Sequence, residues 1–147
     1  MTRRPAQPTS TDPLPVPFRR RLLARPAVRC SLLLARLPPR RIRTLLTHVR
    51  RGARPAQYAE TLAARNAVTA VSPVCAGPEG CLPRSLATAL LCRLHGCWPV
   101  WCVGARRLPP FAAHAWVEAD HTPVGEDHPP DYFRTFFTVG LDGSDTA

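Results

Sequence analysis

Residues 81–96 read CLPRSLATALLCRLHG. Leu82, Leu86, Ala89, Leu90 and Leu94 recur at three- and four-residue spacing, the apolar stripe of an amphipathic helix. Pro83 suits a first helical turn, because the N–H it lacks has no acceptor within the helix there. Gly96 suits the left-handed residue that ends a helix. The segment therefore predicts a helix over 82–95 with Cys81 at its head. After Gly96 the apolar period shortens from about 3.6 residues to about 2. WPVWCVGA (98–105), AHAWVEA (113–119) and YFRTFFTV (132–139) read as strands, with RRLPPF as a loop and DHTP as a turn. Helices followed by consecutive strands predict an α+β fold, the Cys-bearing helix packed on a short antiparallel sheet.

Upstream, AVRCSLLLAR (27–36) and RRIRTLLTHVR (40–50) read as two short helices separated by Pro38 and Pro39. Ile42, Leu45, Leu46 and Val49 form the apolar stripe of the second, and Gly52 is a plausible stop. A third helical pattern spans 56–72, and PVCAGPEG is a turn-rich loop. Residues 1–18 are Pro-rich without apolar period and are expected to be disordered. The chain thus divides into 1–18, a basic helical segment 19–54, a core 55–140 and a frayed tail 141–147.

Charge is unevenly spread. The net charge is +10, and every basic residue is arginine. Residues 1–54 hold 14 arginines and one acid, giving +13, whereas residues 55–147 hold 6 arginines and 9 acids, giving −3. The arginine and proline usage suggests a GC-rich coding bias, which weakens arginine as evidence of a partner. No stretch reads as a signal peptide or approaches a transmembrane length. A cytoplasmic location with reduced thiols is expected.

Cys81 stands at a helix N-terminus, where the dipole and free N–H groups favour a thiolate and can bind a developing oxyanion. His114 opens a strand 33 residues later and is the candidate base. Asp120, Glu126 and Asp127 follow as acids able to orient it. Arg84 lies within a turn of Cys81 and either meets a substrate carboxylate or is solvated. Trp116 shares the His114 face by alternation and either walls the site or packs under the helix.

CLPRSLATALLCRLHG followed by FAAHAWVEADHTPVGED (111–127) resembles the transglutaminase-like cysteine protease of lasso-peptide biosynthesis. The resemblance spans roughly 27–130. It implies a papain/transglutaminase-like core and removal of the leader from a ribosomally made precursor peptide, before a separate synthetase-like enzyme closes the macrolactam. It implies Cys81 as nucleophile and His114 as base. The third member is Glu126 by straight counting, or Asp127 after a one-residue shift. The family usually has Asp there, so Asp127 is preferred. His121 and Gly125 stand where Gly and Asn are common. Residues 1–54 contain no strand pattern, so the resemblance implies the form without a fused leader-recognition domain, served by a separate recognition protein. The synthetase is a further possible partner. No cofactor is expected.

Three other readings compete. Cys92, Cys97 and Cys102 with His95 fit zinc-ligand spacing only loosely, and no metal is expected. The basic segment fits nucleic acid by charge alone, without aromatic interleaving or a known motif, so no nucleic-acid partner is expected. A non-peptidase acyltransferase or amidase could use the same three residues.

Overall fold

The expected central helix is present as the fifth in chain order. In the computed structural model, which describes residues 15–129 and 131–141, the helices are α1 (Phe18–Leu34), α2 (Pro39–Val49), α3 (Tyr58–Val71), α4 (Pro73–Ala76) and α5 (Cys81–Leu94). The strands are β1 (Arg54–Pro55), β2 (Cys97–Trp98), β3 (Val100–Arg106), β4 (Ala113–Ala119), β5 (Thr122–Pro123) and β6 (Phe133–Val139). The fold is α+β. β3 to β6 form an antiparallel sheet of order β5-β4-β3-β6.

Two apolar clusters flank α5. On one side Ala24, Ala27 and Val28 of α1 and Ala64, Ala67 and Val68 of α3 close on Ala87 and Leu91. Small side chains there let the three helices approach closely. On the other side Leu86 and Ala89 meet Trp98, Trp101, Ala115, Val117 and Ala119 of the strands, with Ile42 and Leu46 of α2 closing the cluster. Burial of this much aromatic and aliphatic surface is the main stabilising term. Two polar bonds fix the layers: Trp101 Nε1 donates to Ser85 Oγ at 3.0 Å, and Trp98 Nε1 to the Val139 carbonyl at 3.0 Å. The basic segment is therefore part of both clusters rather than an arm beside them.

Several local expectations are revised. The first helix starts at Phe18 and runs through Pro26, which the sequence reading took as lying outside it. Pro26 and Leu22, whose carbonyl loses its helical donor, are both exposed, while Ala24, Ala27 and Val28 are buried around them. Packing thus outweighs the break. Residues 1–14 of the segment expected to be disordered, and 142–147 of the tail, lie outside the described residues. The strand read over 98–105 is interrupted at Pro99, and Trp98 before it instead joins Cys97 in a parallel pair with β1, opposite Pro55. The loop before Cys81 contains the short helix α4. The DHTP turn is formed with Asp120 and His121 at φ 52° and 60°.

Alternation along β4 positions the site. Ala115, Val117 and Ala119 face α5, which leaves His114, Trp116 and Glu118 on the opposite face. β5 pairs only with Glu118 and Ala119, so the His114 end of β4 is a free edge where the head of α5 arrives.

Candidate active site

Cys81 is the first residue of α5, after Gly80 at the N-cap. A Cβ on Gly80 would collide with the Val74 carbonyl oxygen, so glycine is what lets the α4 loop fold onto the helix start. The Gly80 N–H donates to the Gly77 carbonyl at 3.1 Å. Arg84 folds back from the same turn, and its Nη1 donates to the carbonyls of Cys75 at 2.9 Å and Gly77 at 3.3 Å. The guanidinium is thus engaged with backbone, a third arrangement beside the two anticipated for it. It pins the loop that sets the direction of Cys81.

The Cys81 thiol lies close enough to the His114 ring and to the Ala115 N–H for both to act on it. Those two contacts come from successive residues of β4, one through its side chain and one through its free edge. The hydrogen bond to His114 is the strongest influence on the thiol and pulls its pKa below the ordinary value. Burial opposes this, while the Ala115 N–H and the positive charges of His114 and Arg84 add to it. Burial likewise pulls His114 down, but its bonds to Cys81 and Glu126 outweigh that, and the imidazole is pushed up to about 9. The two shifts run in the direction of a thiolate–imidazolium pair.

The carboxylate on His114 is Glu126: Oε2 lies 3.1 Å from Nε2, with the two side chains only 16% and 11% exposed. Nδ1 is left for the thiol. Asp127, the preferred residue for this position, is exposed and is not the partner of the ring. Straight counting from His114 gives the residue found. Asp120 is engaged elsewhere, its Oδ2 accepting from the Tyr58 N–H at 2.7 Å, where it caps α3.

Trp116 lines a small cavity with Glu126, His128 and Phe133. It is buried, donates from Nε1 to Glu118 Oε1 at 2.9 Å, and stacks near His114 with centroids 5.7 Å apart. Phe133 of β6 stacks directly on the His114 ring at 4.4 Å and 17°, and on Trp116 at 5.3 Å. Phe133 was not singled out from the sequence. It reaches His114 diagonally across β3, where His114 lies opposite Gly104 and Phe133 opposite Arg106. Nothing in the linear pattern marks that crossing.

Cys92, Cys97 and Cys102 are buried, with thiol pKa values raised chiefly by desolvation. Among the described residues no group of three or more His, Cys, Asp or Glu side chains is arranged to hold a metal. No described helix is long and apolar enough to cross a membrane.

Neither a curated protein nor a solved structure matches the chain. A family model does, and it spans both motifs and the helices before them. Matching over residues 24–138, the chain belongs to the transglutaminase-like superfamily.

Proposed function

We propose that the protein is a cysteine peptidase that removes the leader from a ribosomally synthesised lasso precursor, ahead of macrolactam closure by a separate enzyme. The observation that carries a thiol mechanism is the Cys81–His114–Glu126 chain of contacts at the head of α5. The peptide substrate and its leader rest on the resemblance of the two sequence motifs.

In this reading the Cys81 thiolate attacks the scissile carbonyl carbon. The oxyanion is met by first-turn N–H groups of α5, Cys81 and Leu82, since Pro83 has none to offer. His114 gives its Nδ1 proton to the leaving amine, and the acyl-enzyme forms as the C–N bond breaks. Water then attacks the thioester with His114 as base, releasing the carboxylate fragment and the thiolate. Glu126 holds the ring in orientation and stabilises its charged form throughout.

The basic helices α1 and α2 are the proposed docking face for the separate leader-recognition protein or for the leader. Arg40 and Arg41 are exposed there, beside Leu45, whereas Arg50 donates to the Gly140 carbonyl and Arg43 lies 5.5 Å over Phe137. The latter two serve the fold.

The test is incubation of the purified protein with precursor and recognition protein, read by intact mass. Release of leader and core fragments by wild type, lost in Cys81→Ala and His114→Ala, supports the reading. Transfer of the acyl group to an added amine without cleavage would move the protein to acyltransferase chemistry.

A further inference from the structure

We propose that Arg65 of α3 is a positioning residue: its guanidinium braces the Gly125 turn from outside and holds the Glu126 carboxylate on His114. This rests on reading Cys81, His114 and Glu126 as the reacting groups.

The first observation is steric. Gly125 adopts φ +68°, and a Cβ there would lie 2.8 Å from Cδ, Nε and Cζ of Arg65. The flat end of the arginine therefore lies against the bare Cα of the residue immediately before Glu126. Glycine is required by the left-handed backbone, and its bare Cα leaves room for the arginine packed on it. Val124, on the other side of the turn, is buried in the cluster under the sheet, and its N–H donates to the Val117 carbonyl at 2.9 Å. The turn is thus fixed at Val124 from inside and at Gly125 from outside, which leaves Glu126 one direction in which to extend.

The second observation is electrostatic. Arg65 is half-buried, and both burial and the neighbouring Arg84 work against its charge; Glu126 and Asp127 favour it. A cation kept at such a position does more than fill space, because an apolar side chain would fill it without the desolvation cost. The charged and titratable groups acting on Arg65 are Arg84 from α5, Glu126 and Asp127 from the loop, and Tyr58 from its own helix. The ionisable neighbours of Glu126 are His114 and Glu118 from β4, with Asp127 and His128 from its own loop. Glu118 and Asp127 bring like charge to this corner, and Arg65 is the cation packed on the turn itself. With Glu126 aimed at the ring, the imidazolium of His114 is favoured, and with it the thiolate of Cys81.

The experiment follows the alkylation of Cys81 by iodoacetamide against pH in the full chain, resolved from the exposed Cys30 by peptide mass mapping. It needs no substrate, so it succeeds or fails independently of whether the protein cleaves a lasso precursor. Arg65→Gln should move the Cys81 midpoint up by about one pH unit, about tenfold in rate below it, with Arg65→Lys recovering part of the shift. Cys30 should not move. A folded Arg65→Gln protein with the wild-type midpoint overturns the proposal, whatever its melting temperature. Should that variant not fold, Arg65→Met keeps the packed stem without the charge and is judged by the same midpoint.

Discussion

Glu126 Oε2 lies 3.1 Å from His114 Nε2, so the carboxylate holds the ring nitrogen left over from the thiol contact. An amide there can still pack but no longer balances an imidazolium. Glu126→Gln should lower kcat/KM by on the order of 10²–10⁴-fold, chiefly through kcat. Asp127→Asn, at an exposed position off the ring, should stay within a few-fold. Steady-state kinetics on the two variants decides the order, and the reverse order would return the role to Asp127.

The pH profile follows from the same contacts. As pH rises through the lowered Cys81 value the thiolate forms and activity climbs. As it rises past about 9, His114 loses the proton that the leaving amine needs, and activity falls. The plateau should therefore extend well above neutrality. A kcat/KM profile already falling by pH 7 would contradict the ion pair.

Gly80 and Arg84 hold the loop that leads into Cys81. Arg84→Ala removes charge-assisted bonds to the Cys75 and Gly77 carbonyls, a loss of about 1.5–3 kcal/mol. It also removes a positive charge that lowers the thiol. Both melting temperature and Cys81 alkylation near neutral pH should drop. Gly80→Ala should be worse, because the Val74 carbonyl occupies the space of its Cβ. Thermal denaturation with peptide-mapped alkylation reads both.

Reversal of Arg40 and Arg41 to glutamate should raise the apparent KM for leader-bearing precursor more than it lowers kcat, and the wild-type activity should weaken with salt. The same change at Arg50 should instead destabilise the fold, since that side chain grips the Gly140 carbonyl. A folded Arg40/Arg41 double variant that binds the recognition protein and cleaves at the wild-type rate would make those arginines a solvated face only.

The helix at 81–94 and the strands carrying His114 and Phe133 were legible because period, Pro83 and Gly96 all point the same way. α1 was cut short because Pro26 is a local signal, whereas Ala24, Ala27 and Val28 are paired with helices that no local window contains. The candidate site was legible as far as Cys81 and His114, each placed at the start of an element. Its surroundings were not. Arg65, Phe133 and the Ala115 N–H come from three elements, and only the sheet register and the packing of α3 bring them to the same place. Glu126 against Asp127 turned on one residue of a loop, where the φ of Gly125 decides which carboxylate turns inward.

The central claim is that Cys81 cleaves the leader from a precursor peptide with His114 as its proton carrier. The most direct measurement is the intact mass of precursor after incubation with the recognition protein and either wild-type chain or Cys81→Ala. The account predicts two fragments whose masses sum to the precursor plus one water with wild type, and uncut precursor with the variant. Cleavage at the wild-type rate by Cys81→Ala would contradict it.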